Sequence, residues 1–308
     1  MLRLSKLTAL LLVLTLTPVL PAQIVIKPAV PKAGEYTVET TLEIQQTLKI
    51  AGMELQTGQK RKAVTKNIAS KPAANGDVTV VETFESLTDE TTLPGGVALK
   101  FDSAVGPKPQ GTAADFLVDV MAAIAKSKTT LVFDKEGNVK SALATVDGIE
   151  ELEEPGKSLL QADLDPQGLK DKSNSQIQEY NAKPVTPGAV WKKDTSTDLG
   201  QGAKFTHTAT SKYVGVEEVK SRKLHKVTIT YTDVNFTQDA PAPGAPSVTG
   251  SDLELVDGGT TYFFDAEKNQ IVDSVFKLHV KGAITLSVQG MEIPAELDIS
   301  MTQAVKIK

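Results

Sequence analysis

Three histidines, His207, His225 and His279, are the side chains best suited to proton transfer or metal ligation in this chain of 308 residues. All three fall in alternating, strand-like runs. No pair has the H-x-x-x-H or H-x-H spacing that would place two imidazoles on one ion. His279 has the polar parity of its run, His225 shares the parity of Val227, and His207 shares that of Phe205. They read as ordinary strand histidines. The carboxylates of Glu150-Glu151 and Glu153-Glu154 could suggest acid–base chemistry or calcium. Adjacent residues point to different sides of a helix, however, and no Asp-x-Asp-x-Asp-Gly loop is present, so these read as a solvated acidic face. Asp134 to Asn138 is turn chemistry between two strands. A nucleophile elbow, a P-loop and a dinucleotide-binding glycine motif are all missing. The chain has no cysteine, which excludes disulfides, zinc thiolates, thiol catalysis and a lipid-modified N-terminal cysteine. One Trp and five Tyr offer few ring faces for stacking sugars, and Trp191 reads as a buried anchor. The expectation is a protein without an enzyme's polar constellation, without a metal and without a cofactor.

The elements that would position a site are clearer than the site itself. From Phe276 to Val288 every even position is apolar or glycine, and after Gln289-Gly290-Met291-Glu292 the alternation resumes from Ile293 to Ile307. This predicts a long antiparallel hairpin with one apolar and one polar face. Tyr36 to Ile50 repeats the pattern and turns at Ala51-Gly52. The segment 47–55 parallels 285–293, both turning on Gly-Met-Glu. The echo reads equally well as two related half-sheets or as coincidence. Gln56 to Lys71, rich in lysine, reads as an edge strand. Leu253 to Val256 and Thr260 to Phe264 read as two strands around a turn at Asp257-Gly258-Gly259.

The period changes at Phe116, Leu117, Val120, Met121 and Ile124, which share one helical face. Thr112 is the expected N-cap, with Asp115 three residues on. Further helices are expected at 158–162 and 166–180. Residues 1–22 read as a cleaved signal peptide: Arg3 and Lys6, then the apolar run Leu7 to Leu20, too short to span a membrane comfortably. Residues 23–308 then form a single β-rich domain with a Pro-rich loop at 239–246. Cleavage would remove two positive charges from a chain of formal net charge −5, which argues against nucleic acid as a partner. No second segment is long and apolar enough to span a membrane, so a periplasmic or extracellular protein is expected, its oligomeric state open.

The expected fold is mainly β with a few helices, of α+β class. A long-stranded, strongly curved, half-barrel-like antiparallel sheet would carry helices near 112–126 and 156–181 on its concave face. Incomplete filling of that face would leave an apolar cleft. The residues expected to line it are Leu42, Ile44, Phe276, Leu278, Val280, Ile284, Leu286, Leu297 and Ile299 from the sheet, with Phe116 and Val120 from the helix. The expected partner is a lipid or a lipidated protein. The alternative is a structural or interaction component of the cell envelope with a filled core. Gly34-Glu35-Tyr36 after the signal segment, Phe101-Asp102-Ser103, the loop Pro184 to Trp191 and Tyr262-Phe263-Phe264-Asp265 together resemble a family of secreted bacterial proteins known only as a domain of unknown function. That resemblance implies export and no particular activity. In shape, the expected half-barrel is similar to the periplasmic lipoprotein carriers.

Overall fold

Alternation over so many residues builds unusually long strands. The computed structural model describes residues 23–308 except 29, 179, 201 and 240–246; the expected signal peptide and most of the Pro-rich loop therefore lie outside the described residues. The strands are β1 (Ile24–Ile26), β2 (Gly34–Ile50), β3 (Met53–Ala69), β4 (Val78–Thr92), β5 (Ala98–Asp102), β6 (Lys128–Phe133) and β7 (Val139–Thr145). They continue as β8 (Asn181–Val185), β9 (Val190–Gly200), β10 (Ala203–Val219), β11 (Arg222–Gln238), β12 (Ser247–Asp265), β13 (Gln270–Val288) and β14 (Met291–Ile307). The helices are α1 (Phe116–Ile124), α2 (Gly156–Asp163) and α3 (Pro166–Gln178).

One 12-stranded antiparallel sheet dominates, in the order β7-β6-β4-β3-β2-β14-β13-β12-β11-β10-β9, with β5 also on β4. β1 and β8 form a separate pair. The chain closes the middle of the sheet by pairing its last strand with its first long one: Leu297 lies opposite Leu48, and Met301 opposite Ile44. The two Gly-Met-Glu turns have matching backbone, with φ of 48° and 80° at Ala51 and Gly52 and 52° and 81° at Gln289 and Gly290. Two left-handed residues in succession suit the twist of a two-residue hairpin.

Three expectations need correction. The expected α+β arrangement does not form: the chain is 64% strand and 10% helix, a mostly antiparallel β protein with a large open sheet, and its few small helices make no packed layer on it. The reason is length. α1 has nine residues and α2 eight, too little surface to cover strands of 17 to 19 residues. α1 packs on α2 and β5, while α3 is fastened to β7 by Asn174, whose side chain bonds both the N–H and the C=O of Val139. Second, β3 is not an edge; it pairs with β2 and β4. Its lysines answer the outward glutamates of β2, with Lys60 at 3.5 Å from Glu43 and Lys66 at 2.7 Å from Glu35. Third, Asp257-Gly258-Gly259 is no turn. β12 runs through it with a register shift between Leu255 and Asp257. Gly259 instead permits close approach: a Cβ there would sit 2.5 Å from the carbonyl oxygen of Ile229. Gly282 does the same on β13, at φ +151°, where a Cβ would lie 2.2 Å from the Asp252 carbonyl oxygen.

The α1 cap also differs in detail. Asp115 reaches backward, its carboxylate accepting from the Thr112 hydroxyl at 2.8 Å and from the N–H groups of Gln110 and Gly111 at 2.9 Å. These bonds hold its pKa below the usual carboxylate range, the Thr112 bond most of all. The largest apolar cluster lies on one face of β2 and β10 to β14, and a second under β3, β4, β5 and α1. A third joins β1 and β8 to the Phe264 end of β12 and includes Trp191, half-buried on β9.

Candidate apolar site on the sheet

Alternation puts odd residues of β14 and β3 and even residues of β2 and β13 on one face. All nine sheet residues expected at the site belong to the large cluster there. Their burial divides them. Leu278, Val280, Ile284, Leu286, Leu297 and Ile299 are buried, Val280 completely. Leu42, Ile44 and Phe276 are only half-buried. The helix residues do not join them. Phe116 and Val120 face α2, where a Cβ on Gly156 would meet Val120 Cγ2 at 3.0 Å and Phe116 at 3.6 Å. The residues of α1 that face the sheet are Val118, Leu117 and Met121.

The half-buried apolar residues form a stripe that one polar side chain interrupts, Gln46, half-buried on the same face between Ile44 and Leu48. Along β2 they are Leu42, Ile44, Leu48 and Ile50, joined by Leu55 of β3 and Ile293 of β14. From Leu42 to Ile50 is a run of about eight residue steps, roughly 26 Å at ~3.3 Å each. Cover from neighbouring side chains, complete over Val280, runs out along this line. At one end the stripe leaves the sheet beside two exposed methionines. Met53 (60% exposed) pairs with Ile50, and Met291 (62% exposed) pairs with Val288.

The other end is polar. Arg61 lies directly opposite Leu42 on the same face, and Gln59 opposite Ile44. Arg61 Nε donates to Asp89 Oδ2 at 2.7 Å, and Gln59 donates to the same oxygen at 2.9 Å. Thr91 donates to Asp89 Oδ1 at 2.7 Å. Further along, Thr65 donates to Glu82 at 3.4 Å, and Asn67 donates to Thr65 at 3.1 Å. Burial pushes the Glu82 carboxyl up, against the bonds from Thr65 and Asn67. Burial, and then the Glu82 charge, push the Tyr36 phenol up to about 12. Sequence reasoning placed Arg61 in a basic edge strand and missed this cluster. The available signal was parity, since Arg61 shares the face of Leu55 and Ala63 while Lys60 and Lys62 take the other.

The histidines lie apart. His207 Nε2 meets the Thr195 hydroxyl at 2.8 Å, His225 Nδ1 the Tyr213 hydroxyl at 2.6 Å, and His279 Nε2 the Asp298 carboxylate at 2.9 Å. Burial lowers the pKa of His207 and, against the nearby Asp265 charge, that of His225. Among the described residues no group of three or more His, Asp or Glu could hold a metal ion, and no helix is long and apolar enough to cross a membrane. Asp134 acts as turn chemistry, accepting from the N–H groups of Glu136 and Asn138. A 610 Å³ groove runs over β2 to β5; its lining has charges of both signs, with Lys60, Lys62 and Lys100 beside Glu43 and Glu90, and it includes Leu42, Arg61 and Asp89.

No family model and no curated protein matches the chain. Solved structures share its outline at low similarity. A protein with YmcC-like fold from Bacteroides fragilis NCTC 9343 is 10% identical over 89% of this chain and 97% of its own, with a TM-score of 0.20. An outer membrane channel from Pseudomonas putida F1 is 7% identical over 92% and 98%, TM-score 0.26. A DUF1329 family protein from Desulfovibrio piger is 8% identical over 86% and 84%, TM-score 0.13. At these values the likenesses carry no argument about what the chain binds.

Proposed function

We propose that this is a non-enzymatic, exported protein that binds the acyl chain of a lipid or lipidated partner along the β2 stripe. The observation that carries the reading is the half-covered line Leu42, Ile44, Leu48, Ile50, broken only by Gln46, which borders a filled apolar cluster on one side; among the described residues no helix residue belongs to that cluster, and α1 reaches only the Arg61 end, through Met121. Apolar surface left in water costs roughly 25 cal/mol per Å², so an apolar ligand gains by covering it. The stripe is long and narrow, which suits an extended chain better than a compact ring. Export rests on the N-terminal reading, Arg3 and Lys6 before a short apolar run.

One observation favours a second reading, an interaction component of the envelope with no small ligand. Six of the nine sheet residues expected to line a cleft are instead buried in the cluster. Native mass spectrometry of protein purified from an export-competent host separates the two. The acyl reading expects adducts of lipid mass that disappear on solvent extraction. A clean apo mass, with no rise in Tm on adding fatty acids or phospholipids, would leave the envelope component standing.

A further inference from the structure

We infer that Arg61 is the head-group anchor of the β2 stripe, so that the ligand class is an anionic amphiphile, a chain ending in a carboxylate or phosphate, rather than a neutral lipid. The inference rests on the acyl-binding reading above and adds polarity and direction to it.

A guanidinium carries five N–H donors and no acceptor. Asp89 takes only one of those donors, through Nε at 2.7 Å. Nη2 meets the Met121 sulfur at 3.2 Å, a weak acceptor, and Nη1 has no hydrogen-bond partner among the described residues. The Asp89 carboxylate by contrast has a partner on each oxygen, with Arg61 and Gln59 on one and Thr91 on the other. Asp89 is 4% exposed and Arg61 29%, so the acid is sealed in and the base keeps an open side. That geometry fixes the guanidinium plane through Nε and leaves the Nη edge underused. Paired Nη donors are the groups that bind carboxylate or phosphate in a fork, and pre-orientation reduces the entropy lost on binding. The register sets the direction. Arg61 is opposite Leu42, where the stripe begins, and the chain would run from there past Ile44, the polar Gln46 and Leu48 toward Ile50 and the open end at Met53.

The experiment compares two probes with the same sixteen-carbon tail, palmitate and hexadecanol, binding to the full chain at pH 8. Wild type should bind palmitate about tenfold more tightly, the worth of a charge-assisted hydrogen bond. The double variant R61Q/D89N removes both charges together, so no buried carboxylate is left unpaired. It should bind both probes with the hexadecanol affinity of wild type, within about twofold. Arg61→Lys, which keeps the charge but not the fork, should retain part of the preference; it is the decisive variant if R61Q/D89N does not fold. Equal affinity of wild type for acid and alcohol overturns the anchor and leaves the acyl site intact. A palmitate preference that survives in R61Q/D89N, or undiminished in Arg61→Lys, also overturns it. Failure of wild type to bind either probe removes the acyl site and the anchor together.

Discussion

β2 divides the apolar face of the sheet into two regions that solve the same problem differently. On the β10 to β14 side the face is filled by its own side chains: Val280, Ile284, Leu297 and Ile299 pack in one cluster, and Phe205 packs against Phe236 with the rings tilted by 40° and their centroids 4.9 Å apart. On the β3 to β5 side the same face mixes a smaller apolar cluster, Ala63, Leu87, Leu99 and Phe101 under the short helix α1, with the polar side chains Gln59, Arg61, Asp89, Thr65, Asn67 and Glu82. Apolar side chains need only volume and contact to be stable in the interior. Polar ones need a partner for every buried donor and acceptor, which fixes geometry. The filled side therefore stores stability alone, and the mixed side adds orientation to it.

The largest effect that tests this contrast is truncation within one register pair. Leu297 and Leu48 lie directly opposite each other, the first 3% exposed and the second half-buried. Leu297→Ala should cost about 3 kcal/mol, transfer plus cavity, and Leu48→Ala less than about 1 kcal/mol, read by urea unfolding. Equal losses would mean that the cover over β2 is as complete as over β14, and the open stripe would be gone.

Next is the ion pair. Asp89→Ala leaves Arg61 without its carboxylate and strands Gln59 and Thr91 as well. Breaking a buried pair costs several kcal/mol, but Arg61 is 29% exposed and partly screened, so about 2 kcal/mol is expected. The double variant R61Q/D89N should recover most of that loss. If it recovers none, the damage lies in the Thr91 and Gln59 bonds rather than in the stranded charge.

Much of this contrast was legible in the sequence, and the illegible part has a physical cause. Alternation at 36–50 and 276–307 identified the long strands, both hairpin turns and the shared face, because a period of two admits one arrangement when one side is apolar. It could not say which strands are neighbours. Lysines at Lys60, Lys62 and Lys66 look the same whether they guard an edge or face glutamates across a ladder, and the register with Glu43 and Glu35 decided it. Nor could it say what the helices cover. Phe116 and Val120 have the right spacing for a sheet-facing stripe, yet they turn to α2, and Val118 faces the sheet instead. Arg61 was hidden because its neighbours in sequence are all basic and only its parity sets it apart.

A smaller effect concerns Glu82 on the polar side. Burial raises its pKa in the folded chain above the unfolded value. Below the ordinary carboxylate range both states are protonated and the site costs nothing. As pH rises through the window between the unfolded and the raised folded value, the unfolded chain ionises first, and stability falls until the cost is complete. Glu82→Gln should therefore raise Tm at pH 7 and change it little at pH 4. A gain of equal size at both values would assign the effect to packing instead of charge.

The smallest expected effect lies where the two regions meet at the hairpin tips. Met53 and Met291 occupy the same position in turns of the same backbone geometry, one beside the polar side and one beside the filled side, and both are about 60% exposed. If the tips are open ends of the stripe, neither methionine is held by packing. M53Q and M291Q, singly or together, should then shift unfolding free energy by less than about 0.5 kcal/mol, as for other exposed positions. A loss above about 1 kcal/mol that grows with protein concentration would mean that the tips are covered in solution by a second copy of the chain, because only an associating surface makes stability depend on concentration. The comparison would then run between one molecule and its neighbour, and the open end of the stripe would be an interface.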